Sequence, residues 1–295
     1  MHAYLSGVGF SNIRSLSMLE HLTEEVTEHY SQKTIFHSAD GRLLAEYSKF
    51  YAKNCGLAVV GELDDIGDFH PEYTFPFYQG EQVSLHEHVN IERQCAKDAY
   101  SAACDDSRMG ITMIFYLSNM GEFRKCIETG DFRKGKKDII LSGIAAGGAV
   151  LLPLYERKGI EQKRHEAAIR HKKLLNAAKD GDQDAIDSLT MEDADVYNML
   201  SRRVEREDLL SIVETSFIPC GVECDQYNLL GTIRSCEKTL NSITGEKLYQ
   251  MMVECNDMKF NICINSEDLF GEPAVGRRFR GRIWLQGQVL FNEKV

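Results

Sequence analysis

The stretch GRRFRGRIWLQG, Gly276 to Gly287, decides how the chain is read. Side chains of a β-strand alternate between two faces. Read that way, Phe279, Ile283 and Leu285 point to one side, and Arg278, Arg280, Arg282, Trp284 and Gln286 to the other. The one tryptophan of the protein therefore shares a face with three arginines. An arginine fork grips anionic oxygens and a tryptophan ring stacks on planar groups. Arg278, Arg280, Arg282 and Trp284 are accordingly the first candidate binding surface. The bland reading of the same pattern is a solvated strand face with arginine stems laid over apolar surface.

The residues just before this stretch extend the β pattern. Tyr249, Met251, Val253 and Cys255 alternate on one arm, and Met258, Phe260, Ile262 and Ile264 on a second. Asn256-Asp257 supplies a two-residue hairpin turn between them. With Gly231 to Thr239 before and Arg278 to Phe291 after, residues 216–295 read as a small all-β domain. A closed barrel of OB type is the expected form, because closure removes exposed strand edges. Upstream, residues 156–215 read as a helical connector. Glu156 to Asp180 carries eight Lys/Arg against four Asp/Glu, and Gly181 to Leu210 reverses this with nine acids against three arginines. Asp180-Gly181-Asp182 stops one helix and caps the next.

Residues 1–155 read as a mixed α/β domain. A strand near Ala3 to Val8 leads into a helix with Ser17 and Glu20 as a capping box. Strands follow over Leu43 to Tyr51, Leu57 to Glu62, Tyr73 to Tyr78, Val89 to Arg93 and Ile111 to Leu117, and Ile139 to Leu154 reads as a hairpin turning at Gly147-Gly148. One helix followed mainly by strands indicates the α+β class. The fold expected is thus an α+β N-terminal domain, a helical connector and a small OB-like barrel.

Composition sets limits on function. The 295 residues are 43% hydrophobic and 27% charged with only five prolines, which describes a folded protein. A formal charge of -11 argues against a broadly basic nucleic-acid-binding surface. The N-terminus lacks a secretory pattern, and Ile139 to Leu154 is too short and glycine-broken to span a membrane. Nine cysteines without a CxxC pair suit reduced thiols in a cytoplasmic protein. Gly7-Val8-Gly9 lacks the third glycine of a dinucleotide fingerprint, with Asn12 in its place. His86 and His88 have no acid or cysteine at metal-ligand spacing, and Cys104 has no histidine to activate it. No metal and no cofactor is expected.

Several segments taken together resemble a family. They are MHAYLSGVGFSN at the start, FHPEYTFPFYQG from Phe69, ITMIFYLSNM from Ile111, DAIDSLTMEDADVYNMLSRR from Asp184, SIVETSFIPCGVECDQYNLLG from Ser211 and GEPAVGRRFRGRIWLQG from Gly271. Their order and spacing resemble an uncharacterised, full-length domain family of clostridial-type bacteria. The resemblance implies a bacterial, cytoplasmic protein and carries no catalytic residue with it.

Three functional expectations follow. The leading one is a non-enzymatic binding or scaffold protein that presents its C-terminal β surface to a protein or ligand. The second is a small-molecule sensor or enzyme with an N-terminal pocket around His70, Tyr73 and Tyr78, where aromatic surface meets a titratable group. The third, less favoured, is single-stranded nucleic-acid binding through the arginine–tryptophan face.

Overall fold

A computed structural model describes residues 4–94, 98–132, 135–154, 213–221 and 224–291, together with 170, 173–174, 177–178, 181–189 and 191. The chain divides into one unit of Met1–Leu152 with Thr215–Val295 and a second of Pro153–Glu214.

The apolar alternation from Leu43 onward builds a four-stranded antiparallel meander. Its strands are β1 (Gln32–His37), β2 (Leu43–Ala52), β3 (Cys55–Leu63) and β4 (Phe69–Tyr78), in that order. The helix α1 (Leu16–Glu28) lays Leu22 and Val26 against β2 and β3. Its N-cap is Ser15, whose Oγ accepts from Met18 N–H, two residues ahead of the expected Ser17 box.

The second sheet holds the other described strands. In chain order these are β5 (Leu85–Glu87), β6 (Asn90–Arg93), β7 (Tyr100–Asp106), β8 (Ile111–Leu117), β9 (Lys137–Leu151), β10 (Ser216–Pro219), β11 (Gln226–Leu240), β12 (Lys247–Cys255), β13 (Met258–Asn265), β14 (Leu269–Phe270) and β15 (Arg278–Leu290), with helix α2 (Met120–Thr129) between β8 and β9. β15 is its spine. One edge pairs antiparallel with β9 along its whole length; the other pairs first with β11 and then, at Gln286–Gly287, parallel with β8. The far half of β11 pairs with β12, β12 with β13, and β13 runs parallel to β9. The strands β11, β12, β13, β9 and β15 therefore close into a ring.

The expected α+β arrangement is corrected by this topology. The fold is mostly β, and the C-terminal strands do not form a barrel of their own. Their ring closes only through β9, so the two ends of the chain share one sheet. The stretch Ile139 to Leu154, expected as a hairpin, contains a single long strand with Gly147-Gly148 inside it. A bulge against β15 falls at the same place, and Gly148 admits no Cβ because the Phe279 ring would lie 2.7 Å away. Sequence shows glycines there but not which partner crowds them. The expected strand before Val8 is instead a 3-10 turn, Ser6–Val8, with Gly9 left-handed at φ 89°. The helical connector expected over 156–215 lies mostly outside the described residues. Within it, 183–189 is helical, Gly181 is left-handed at φ 88°, and Asp182 Oδ1 accepts from the backbone N–H of Asp184 and Ala185.

The alternation of the 249–264 hairpin is realised. Asn256 and Asp257 both take positive φ, as a tight turn of this hand requires. The ring interior is apolar. A Cβ on Gly143 would meet Ile262 and Ile283 together, and Phe260 stacks with Phe217, which stacks on Tyr227.

Candidate functional site

The four-stranded sheet covers part of the face on which the arginines and Trp284 were expected. Arg280 and Arg282 are exposed, but Arg278 is buried, with its Nε donating to Leu152 O at 3.0 Å. Trp284 is 4% exposed and Gln286 is fully buried. The alternation along β15 is as expected, while exposure changes midway along one face. Trp284 packs on Tyr4 (6.0 Å between centroids) and Tyr116 (5.3 Å), and its Nε1 donates to Asp225 Oδ2 at 2.8 Å. It presents no open ring for stacking on a base. Arg282 is held by Gln226 Oε1 and bonds the Tyr4 hydroxyl, whose pKa burial pushes up to about 12.

The three residues of the second candidate cluster separate. His70 is exposed on the surface, where its Nε2 meets Asp64 Oδ2 at 2.9 Å; that hydrogen bond raises the pKa of the imidazole. Tyr78 is buried, and its backbone N–H donates to Gln286 Oε1. It borders a polar cleft of about 140 Å³ with Lys53, Asn54, Glu81, Gln250 and Asn261. Tyr73 takes a different place, in the interior between the two sheets.

That interior is the most informative region of the molecule. The register places Glu46 beside Val60 and Val60 beside Tyr73; Ser48 lies beside Ala58, which pairs with Phe75. Glu46, Ser48, Tyr73 and Phe75 thus share the face of the meander that meets the second sheet. Across from them, Tyr116 of β8 packs on Phe75 at 4.9 Å and links them to Trp284. The Tyr73 and Tyr116 hydroxyls are hydrogen-bonded, and Tyr73 donates onward to Asp98 O at 2.9 Å, so Tyr116 is the donor to Tyr73. Burial raises the pKa of both phenols.

Glu46 stands out within this group. Its carboxyl lies deep among protein atoms while the residue keeps partial solvent access, as does Tyr73. Its hydrogen-bond partner among the described residues is Ser48, whose Oγ donates across a long 3.4 Å. Among the described residues no lysine or arginine acts on it. Desolvation, helped by the nearby Glu122 charge, raises its carboxyl pKa to about 7. A buried carboxyl ordinarily has strong partners. This one has a single weak partner among the described residues.

Contrast Asp98, whose side chain is 2% exposed: it is gripped by Arg42 and Arg93, and Arg42 also bridges Glu62 and Glu72. His86 pairs with Asp138, Asp106 holds Arg108, and burial lifts the Cys104 thiol to about 12. Among the described residues no group of three His, Cys, Asp or Glu is arranged to hold a metal ion, and the eight cysteines are free thiols. No described helix is long and apolar enough to cross a membrane.

Compared with known families, the chain matches the one described as a domain of unknown function, E. rectale gene description (DUF3881), over residues 5–287. The chain belongs to this family. The match includes every residue of the inter-sheet interior except Tyr4, and it agrees with the resemblance carried by the six sequence segments. No curated protein and no solved structure matches the chain.

Sequence reasoning reached Tyr73 and Trp284 but missed Glu46, Ser48, Tyr116, Tyr4 and Asp225. One signal was available. In LLAEYSKFY the face defined by Leu44 and Phe50 also carries Glu46 and Ser48, two polar residues on an otherwise apolar, inward face.

Proposed function

We propose that this protein binds a small molecule between its two sheets, in a seat formed by Glu46, Ser48, Tyr73 and Tyr116. The observation that carries this reading is the deep carboxyl of Glu46, a residue with partial solvent access and no cation beside it among the described residues. Stability alone would favour an apolar residue at such a position, since burying a carboxyl without a partner is costly. Binding sites typically combine aromatic walls with a few placed polar groups, and this interior has that make-up. Trp284 touches Tyr116 and so reports on the seat from its far wall.

The test is a thermal-shift screen of the full chain against a small-molecule library, followed by Trp284 fluorescence titration of the hits. The reading expects at least one compound that stabilises the protein, perturbs Trp284 emission and loses its effect in Glu46→Gln. Hits whose effect survives that substitution would place binding elsewhere and sink the proposal.

A second reading rests on Arg280, which is exposed and forms no ion pair among the described residues. Beside Arg282 it offers a small cationic surface on β15 for an acidic partner. Pull-down that persists after Arg280→Ala would dispose of it.

A further inference from the structure

We propose that the polar cleft beside Tyr78 is a second binding site, which takes a small guanidinium or amidinium group through its N–H donors. The cleft shares no lining residue with the Glu46 seat and goes beyond the reading above.

The site is built from two buried amides. Gln250 on β12 pairs with Cys263 on β13, which makes Asn261 its diagonal neighbour on the same face. Both residues line the cleft, and they are only 6% and 5% exposed. Each NH2 group is fully used inside the protein. Gln250 Nε2 donates to Lys53 O and Cys55 Sγ, and Asn261 Nδ2 donates to Gln82 O and Leu141 O. Backbone carbonyls only accept, so these partners fix which end of each amide is the nitrogen. Gln286 on the same seam uses both ends of its amide. Gln250 and Asn261 use one, and among the described residues no donor reaches Gln250 Oε1 or Asn261 Oδ1. Neither oxygen is sealed from solvent, so both acceptors open into the cleft that their residues line.

A seat with two open carbonyls requires a ligand that brings its own donors. The cation and the Asn54 amide at the cleft are already turned to carboxylates. Lys53 Nζ lies 2.7 Å from Glu237 Oε2 and 3.5 Å from Glu81 Oε1, and Asn54 Nδ2 donates to Glu81 Oε1 at 2.8 Å. A carboxylate ligand has acceptors only and would face two carbonyl oxygens; an alcohol brings a single donor. A guanidinium or amidinium carries donors on adjacent nitrogens in a fixed plane, which matches a pair of neighbouring acceptors. Its charge also suits a cleft where Glu81 and Glu237 share the single cation Lys53. The cleft's volume of about 140 Å³ is close to that of a cavity that takes a benzene-sized guest of about six heavy atoms. The ligand is therefore a small guanidine or amidine, or the tip of a longer one.

The experiment is a titration of the full chain, carrying carbon-13 at its methionine methyls, with methylguanidinium, N-methylurea, acetate and calcium as separate probes. Met252 lines the cleft, and its methyl signal, assigned through Met252→Leu, reads occupancy. The proposal expects a saturable shift of that signal with methylguanidinium, binding of N-methylurea weaker by about fivefold, and no response to acetate or calcium. Lys53 competes for the two carboxylates, so Lys53→Ala should tighten methylguanidinium binding by about threefold, and Glu237→Gln should weaken it by a similar factor. Both side chains are about half exposed, so neither change reaches the core. Saturation by acetate or calcium, N-methylurea binding as tightly as methylguanidinium, or equal affinity in the parent and both charge variants would overturn the ligand class. A Met252 signal that responds to no probe would overturn the site. Glu46→Gln should leave this titration unchanged, which keeps its outcome separate from that of the Glu46 seat.

Discussion

Two stretches of the contact between the meander and the second sheet are built on opposite principles. Along one, amide side chains on the outer face of the ring stitch backbone to backbone. Gln286 accepts from Tyr78 N–H and donates to Pro76 O; Asn261 donates to Leu141 O and Gln82 O; Ser142 Oγ accepts from Gly80 N–H; Gln250 donates to Lys53 O. Every one of these side chains is buried, and together they pair backbone groups of β4, of the loop after it and of the β2–β3 turn. Along the other stretch, Glu46 holds a carboxyl with one long contact. A fold that satisfies buried amides so fully in one place and leaves a carboxyl in want of a partner nearby distinguishes a structural seam from a functional seat.

The contrast is broken most severely at the seam. Gln286→Leu leaves Tyr78 N–H and Pro76 O unpaired, each worth about 1–3 kcal/mol when buried. Urea denaturation should show a loss of about 2–6 kcal/mol; a loss below about 1 kcal/mol would mean that the seam does not hold the sheets together.

At the seat the same kind of substitution should act in the opposite direction. The folded pKa of Glu46 lies above its unfolded value, so the folded state holds the proton more tightly. Stability from this group is full below about pH 4 and falls as pH rises towards 7. Glu46→Gln stays neutral throughout. It should match the parent protein at pH 4 and exceed it at pH 8, by up to about 3 kcal/mol. Equal stability of the two proteins at pH 8 would show that burial of the carboxylate costs little.

Tyr73→Phe removes the hydroxyl that links Tyr116 to Asp98 O. A cost of about 1 kcal/mol is expected in thermal unfolding. Arg280→Ala should be the mildest change, within about 0.5 kcal/mol, because the side chain is exposed and unpaired among the described residues. A larger loss would give β15 a structural arginine that its surroundings do not explain.

How far the sequence reaches follows the same division. The strands at 43–52 and 111–117, the hairpin at 249–264 and the start of β15 are legible because alternation and turn residues are local properties. That β9 completes the ring with strands from the far end of the chain is not legible, since pairing partners distant in sequence leave no local trace. The same limit governs the site. Trp284 reads as exposed because its face carries arginines, yet Tyr4, Tyr116 and Asp225, all distant in sequence, pack on it, and the meander covers the neighbouring Gln286. Glu46 left a local trace as a charge on an apolar face, but its unpaired state depends on α2 and β8, which meet it only in the folded protein.

The proposed role of Glu46 turns on its charge, which infrared difference spectroscopy reads directly. Spectra of the protein minus Glu46→Gln, followed across pH, should show a protonated carboxyl band that disappears with a midpoint of about 7. A midpoint near ~4.3, the value of an ordinary glutamate, would contradict the account.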